Sequence, residues 1–406
     1  MIDIKVLNTN YEIIGIIDTY ESFIWTDRFS SPGDFELYTP FSDYILNLCQ
    51  QDYYLAIDAS YHNMIIEDIQ LQTNADTGTH LIIKGRSLES ILDRRIVWKQ
   101  TTISSTKDHT LITGVNKILS DAFLLSDKEY TNKRILPNFF IKKPESNFVN
   151  PSGNQFEIEK TQFTGDQIDT IMNDICESFE IGYRILFGYQ LKKLYSLPIQ
   201  VWNPTNKTWV DKSDIGDFDL YFELYLGYDR SYDQPEGSNL PYVVFSPNFD
   251  NIINTNYLDS VNTMKNVTLV MGEDQGSTRK RLIVGDGEGL FRRELYTDAR
   301  DLQSSDYGSS TKYKAAMKQR GLESLYENSR ITSYEGEVEA LHSFIYGVDF
   351  FMGDIIQISN EFGKNGKARV IEWVRSESDS GVDVYPTFSG IQIINDHTQE
   401  DDEQEE

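Results

Sequence analysis

Residues 25–40 read WTDRFSSPGDFELYTP. Trp25, Arg28 and Phe29 stand before a Pro32-Gly33-Asp34 turn, and behind it Phe35-Glu36-Leu37-Tyr38 alternates apolar with polar. Proline presets a turn, and alternation puts every second side chain on one face of a pleated strand. The stretch predicts strand, turn, strand. It holds no nucleophile, metal cluster or phosphate loop, so its specification points to architecture rather than chemistry.

The pattern extends through the first hundred residues. IDIKVLN, EIIGIID, SFIWTDRF, DFELYTP, YYLAID, NMIIEDIQLQ and THLIIKG are short β-type runs, each bounded by Asn, Asp, Gly or Pro. Strands this short and this regularly spaced predict a barrel or sandwich. In GRSLESILDRRIV, Leu88, Ile91, Leu92 and Ile96 fall at helical spacing, as expected of a helix capping one barrel mouth.

From residue 101 the character changes. HTLITGVNKILSDAF puts Leu111, Val115, Ile118, Leu119 and Ala122 on one helical face. In TGDQIDTIMNDICESFEIG, Thr164 and Gln167 have capping-box spacing, Ile168, Ile171, Met172, Ile175 and Phe179 form the stripe, and Gly182 ends the helix before a YRILFG strand. YDRSYDQPEGSNLP (228–241) is polar and rich in breakers, which marks a boundary. Strands return in YVVFSP, KNVTLVMG, KRLIVGDG and FRREL, interrupted by a helix in STKYKAAMKQRGLESLYENS. GDIIQISNEFGKNGKARVIEWV reads as a hairpin with Asn365-Gly366 as its type I′ turn.

One internal comparison organises these pieces. Residues 65–85, IIEDIQLQTNADTGTHLIIKG, and residues 370–385, VIEWVRSESDSGVDVY, share an apolar-apolar-Glu strand, a polar turn and an alternating strand. Upstream of each lies a strand opening with Asp, DYYLAID and DIIQIS. Shared turn chemistry between unrelated hairpins is the plain alternative; a duplication gives two related β-barrels. The expected fold is mainly β with α+β insertions. A first barrel with its capping helix spans 1–100, and an inserted α+β domain spans 101–240. A second barrel spans 241–394 with a helical insertion near 309–328, and 395–406 forms a disordered acidic tail.

Composition narrows the function. A formal charge of −27 argues against simple nucleic-acid binding, which needs a positive surface, and suits equally general solubility or a surface that nucleic acid passes without sticking. Cys49 and Cys176 are far apart in apolar settings and read as buried thiols. MIDIKVLN begins directly as a strand, so no signal peptide is expected, and no apolar run reaches membrane-span length. The expectation is a soluble protein made in the cytoplasm.

Chemistry finds no seat. His62, His80, His109, His342 and His397 lack zinc-motif spacing, and no C-x-x-C or G-x-S-x-G motif appears. VGDGEGLF (284–291) follows a strand, but its spacing is wrong for a dinucleotide loop and a strand follows it, so it reads as a hairpin loop. With 64 acidic residues, any chosen carboxylate pair would be arbitrary. Tyr225, Tyr228, Tyr232 and Tyr242 could stack sugars or pack an interdomain surface. No enzyme, metal or cofactor is expected.

WTDRFSSPGDFELYTP, then GRSLESILDRRIV, then FSPNFDNIINTNYLDSVNTMKNVTLV together resemble, in that order, the tail-hub family of siphophages. This is the hub module of tail-associated lysins and tail-tip proteins, similar to baseplate hubs of contractile tails. The resemblance runs from Trp25 to about Gly390. It implies a structural virion protein at the tail tip, a homotrimer in which each chain supplies two β-barrels. Six barrels then form a pseudo-sixfold ring that docks on a hexameric distal tail protein or tail-tube ring. Tail fibre or tip proteins would sit below, and the lumen would hold the tape-measure protein and pass DNA without specific binding. Family members often continue into a lysin domain; this chain stops soon after YPTFSGIQII, so none is expected. Trp25, Arg28, Phe29, Asp354 and Trp373 are the expected ring or partner contacts. The alternatives are a carbohydrate- or receptor-binding β-protein of the tail tip and a cell-wall hydrolase.

Overall fold

In the computed structural model the chain enters through β1 (Ile4–Leu7) and β2 (Ile13–Ile17), an antiparallel pair. β3 (Ser22–Arg28) and β4 (Asp34–Pro40) follow as the hairpin that WTDRFSSPGDFELYTP predicts, with Trp25 opposite Phe35. Alternation works as expected: β4 buries Phe35, Leu37 and Thr39. Glycine is required at the turn, because a Cβ on Gly33 would lie 2.1 Å from the Thr26 carbonyl oxygen. A short helix α1 (Asp43–Leu48) leads to β5 (Tyr54–Ala56), then to the long hairpin β6 (Asn63–Asn74) and β7 (Gly78–Ser87). The structure describes residues 1–390 except 77, 104–109, 126–131, 151–152, 154, 157, 159–160, 236, 275–277, 339–343, 361 and 363–364. The expected acidic tail at 395–406 lies outside the described residues.

The expected capping helix is a 3₁₀ segment, Leu88–Arg94. Leu88 and Leu92 are buried, whereas Ile96 is 38% exposed, beyond the end of the turn. β8 (Thr101–Ile103) and α2 (Leu111–Leu119) come next, and the whole expected stripe of α2, continued to Ala122, is buried. β9 (Phe139–Ile141) and β10 (Thr161–Phe163) precede α3 (Ile168–Ser178). The capping box does not form. Gln167 holds the N-cap without a side-chain bond, because the Ile168 amide donates to the Arg95 carbonyl (3.1 Å) and Gln167 bridges Ile96, which fixes where the helix starts.

Gly182 does not end α3 either; Glu180, at φ 51°, makes that turn. Gly182 opens β11 (Gly182–Phe187), where a Cβ would lie 2.4 Å from Phe29 and 2.8 Å from Tyr225. α4 (Gly188–Leu194), β12 (Ile199–Asn203), β13 (Thr208–Lys212) and β14 (Leu220–Tyr225) complete this region. β14 lies between β11 and β9, antiparallel to the first and parallel to the second.

Past β15 (Val244–Phe245), the chain separates into two compact units. The second is built on Asn254–Gly336; the first holds Met1–Ile253 and Glu337–Phe388. β16 (Ile252–Ser260) pairs with a strand named below, and β17 (Val267–Met271) is the centre of a three-stranded sheet with β18 (Arg281–Gly285) and β19 (Glu294–Asp298). VGDGEGLF is not a hairpin loop. β18 and β19 flank β17 rather than pair, so the loop crosses the end of β17 and is held by Asn266, whose amide bonds Phe291 and Arg293. α5 (Ser310–Glu327) packs on this sheet through Tyr313 and Met317, and β20 (Ile331–Val338) is the partner of β16.

The first unit closes with β21 (Ile355–Ser359), β22 (Asn365–Ser378) and β23 (Gly381–Gly390). Asn365-Gly366 is not the turn: Asn365 pairs with Ser359 and Gly366 with Ile358, so the dipeptide opens β22. The sheet runs β15-β21-β22-β3-β4-β7-β6-β5-β1-β2, with β23 on β22. The mainly β character is as expected, but among the described residues no pairing closes a barrel. Strands of both expected barrels share one sheet, because β22, at 14 residues, is long enough to serve β21 with its first half and β3 with its second.

Replacing Gly182 with Val should cost about 1–3 kcal/mol by overpacking against Phe29. The urea midpoint reads it; an unchanged midpoint would contradict the packing described.

Candidate functional site

The seam between the chain's two ends is the most heavily specified part of the molecule. β22 pairs with β3 from Glu372 opposite Arg28 to Ser378 opposite Ser22. Arg28, half-buried, bonds the Pro32 carbonyl (3.0 Å) and pairs with Asp34 and with Glu372 (3.5 Å). Glu377, buried, accepts from the Tyr20 hydroxyl (2.6 Å) and the Ile2 amide (2.9 Å) and pairs with Arg375. Burial opposes its ionisation, but Tyr20, Arg375 and the Ile2 amide hold its carboxyl below the usual range.

The five expected contact residues sit around this seam, and four are buried in the chain itself. Trp25 is fully buried and donates its indole N–H to Asp27 Oδ1 (2.9 Å). Phe29 packs edge-on against Tyr225, with ring centroids 5.3 Å apart. Asp354, also fully buried, accepts from Arg230 Nε (2.6 Å) and from the Tyr228 (2.7 Å) and Phe351 (3.0 Å) amides. Trp373 stacks on Tyr346 at 4.7 Å. Their large or charged side chains are occupied within the fold; only Arg28 of the five is partly open to solvent.

Behind Trp25 lies a buried charged cluster that the sequence reading passed over. Asp27 accepts from Ser60 Oγ (2.7 Å), and His62 Nδ1 lies 3.2 Å from Glu89 Oε1, which also accepts from the Ile185 amide (2.8 Å). Burial disfavours the His62 cation, yet Asp27 and Glu89 outweigh it and raise its pKa. Burial likewise disfavours ionised Glu89, and His62 reverses this and lowers it. Burial pushes the Asp27 carboxyl up. Next to them, Glu223 on β14 accepts from Arg184 Nε on β11 (2.6 Å) and pairs with Lys142 (3.0 Å). Burial opposes the Glu223 charge, and Arg184 and Lys142 overcome it and hold the carboxyl low. A signal existed for this pair: LYFELY and GYRILF each carry one charge in an apolar strand, and the register sets Arg184 opposite Glu223.

Ser60 and His62 invite comparison with a catalytic triad, and the geometry rejects it. Ser60 donates to Asp27, and its oxygen accepts from the His62 backbone amide (2.9 Å) while the imidazole is turned to Glu89. The imidazole does not face the hydroxyl, so the Ser-His pairing of a triad is missing. Burial pushes the Cys49 thiol up to about 12 and Cys176 well above its ordinary value, so both are poor nucleophiles. Among the described residues no group of three or more His, Cys, Asp or Glu is placed to hold a metal ion, and no helix is long and apolar enough to cross a membrane.

A cleft of about 780 Å³ opens beside the seam in the first unit. Phe245, Phe350, Trp373 and Val382 line it from the C-terminal strands, and Ile13 and Ile57 from the N-terminal ones. Of the four tyrosines considered for stacking, Tyr225 is buried, while Tyr228, Tyr232 and Tyr242 are about half exposed.

A many-stranded sheet that joins residues near both ends of the chain and is braced by buried ion pairs is a fold found in phage tail proteins. The prophage tail protein gp18 of Listeria monocytogenes EGD-e aligns over 96% of this chain and 95% of its own, at 10% identity and TM-score 0.53. The tail protein of Neisseria meningitidis MC58 aligns over 95% and 96%, at 12% identity and TM-score 0.54. The 43 kDa tail protein of prophage MuSo2 from Shewanella oneidensis aligns over 96% and 98%, at 10% and 0.53. The chain belongs to the siphovirus ReqiPepy6 Gp37-like protein family, a family of siphovirus tail proteins, whose model matches residues 3–383. No curated protein matches the sequence.

At neutral pH, Glu223→Gln leaves Arg184 and Lys142 without their buried anion and should cost about 3–5 kcal/mol. Glu223 is held below its ordinary value near 4.5, so its stabilisation is full above that value and is lost as pH falls through the lower folded value. Denaturant curves should show the gap between wild type and variant narrowing below about 4.5. A gap constant into strong acid would contradict the assignment.

Proposed function

We propose that the protein is the tail hub at the distal end of a siphophage tail, joining the tail tube or distal tail protein ring to the tip. The observation that carries this is the repeat in the sheet. β5-β6-β7 and β21-β22-β23 are each a short strand followed by a long hairpin. In each, the apolar-apolar-Glu strand pairs its glutamate with an arginine of the same sheet, Glu67 with Arg86 and Glu372 with Arg28. Two like modules per chain let three chains present six, which is what a threefold part needs to seat on a sixfold ring.

In this reading residues 1–100 and 241–394 each carry one barrel-like module, and 101–240 an α+β domain between them. The strands around Trp25–Tyr38 and Asp354–Trp373 face the ring. Trp25, Phe29, Asp354 and Trp373 act from behind, by fixing the shape of that wall, while Arg28 lies nearer the surface. The acidic surface lines a lumen that holds the tape-measure protein and later passes DNA without retaining it. Tip or fibre proteins attach on the far side, the location is the virion tail tip, and the protein catalyses nothing.

Light scattering across a concentration series tests this. The expected mass is that of three chains, alone or once the distal tail ring is added. A single-chain mass under both conditions contradicts the hub.

A second reading has its own observation: Tyr232 and Tyr242 meet edge-on at 5.5 Å with both rings about half exposed, a surface on which a sugar could stack. Glycan binding by the purified protein, lost in the Tyr228→Ala, Tyr232→Ala double variant, would establish it. No binding by wild type dismisses it.

A further inference from the structure

The net charge is unevenly placed. Residues 254–336 contain 12 Lys or Arg and 12 Asp or Glu, so the second unit's main segment is neutral, and the whole −27 resides elsewhere in the chain. Copies of a chain this acidic repel one another, most weakly where the surface carries no net charge.

That unit also displays an apolar surface. One face of its three-stranded sheet packs on α5 through Val270 and Val284. On the other, Leu269 pairs with Ile283 on one side and Tyr296 on the other, so the three stand in one cross-strand row. Ile283 is 63% exposed, Leu269 38% and Tyr296 55%. Charges frame the row: Arg279 and Arg300 both pair with Asp298 at one end, Arg292 pairs with Glu294 at the other, and Arg281, two residues before Ile283, stands on the same face of β18. Leu290 and Phe291, 98% and 84% exposed, extend the apolar surface on the loop that crosses the end of β17. An apolar centre inside a charged rim is the anatomy of a protein interface.

We propose that this sheet face is where copies of the chain meet, with the Ile283–Leu269–Tyr296 row of one copy packed against the acidic surface of its neighbour. The proposal rests on the trimeric reading and adds the surface that holds the trimer together. A basic partner would be drawn to the acidic remainder of the chain. The arginines of this rim, Arg279, Arg281, Arg292 and Arg300, outnumber its carboxylates, Asp298 and Glu294, so the face suits an acidic surface, and a neighbouring copy, whose −27 lies outside this segment, supplies one.

The test is the full-length Ile283→Asp, Tyr296→Asp variant beside wild type, by light scattering over a concentration series. Both side chains are exposed, so circular dichroism and the melting temperature should match wild type. Trimer formation should shift to concentrations about a hundredfold or more higher, because two apolar anchors become charged and every neighbour carries the same charge. A folded variant that keeps the three-chain mass at wild-type concentrations overturns this inference and leaves the trimer standing. A wild type of single-chain mass throughout, with and without the distal tail ring, overturns both. If the double variant misfolds, the single Ile283→Asp variant decides: trimer formation shifted to concentrations about tenfold or more higher supports the contact, and a folded variant that forms the trimer at wild-type concentrations excludes it.

Discussion

The pairing of β3 with β22 is the constraint on which the first unit depends. It joins residues 22–28 to residues 372–378, so the hairpin near the start of the chain cannot complete its sheet until the end of the chain has arrived. Glu377 fastens the junction by taking a hydrogen bond from the Ile2 amide and another from Tyr20. Closing so long a loop is entropically costly, and such folds form late contacts slowly. What makes the closure worthwhile is burial on both sides of it: Trp25 and Phe35 from the first strands, Trp373 and Val370 from the last.

Charge is organised by the same seam. The outside of the first unit carries the acid, yet its interior holds Glu89 with His62 and Glu223 with Arg184 and Lys142, each carboxylate matched to a buried cation. Such pairs add little net energy when intact and cost a great deal when one partner is lost, so they favour one arrangement over near alternatives. They also tie β11 and β14 to the 3₁₀ turn after β7. The α+β region is thereby part of the same body as the sheet rather than an appendage of it.

Much of this was legible in the residues. Alternation in DFELYTP gave the hairpin, and the apolar stripe of α2 was read correctly; that of α3 held from Ile168 to Ile175, while Phe179 lies past the helix end and Cys176, left off the stripe, is buried. What misled was local punctuation. Gly182, Thr164 and Asn365-Gly366 all look like boundary signals, and each is overridden by a tertiary demand: the Phe29 ring at Gly182, the Arg95 carbonyl ahead of α3, the pairing of Asn365 with Ser359. The sharing of β22 between β21 and β3 was hidden because strand partners hundreds of residues apart leave no local mark. Trp25 and Asp354 stood out in the sequence as conspicuous residues, and conspicuousness here reflects buried bonding: an indole and a carboxylate each need an internal partner, Asp27 and Arg230.

The central claim is that two like modules in each chain let a threefold hub meet a sixfold tail. The most direct measurement is a cryo-electron microscopy reconstruction of the tail tip at a resolution that separates strands. The account predicts three copies of the chain around the tail axis, with β5-β6-β7 and β21-β22-β23 alternating as six similar elements under the last hexameric ring. Density for this chain away from the axis, or a copy number other than three, would contradict it.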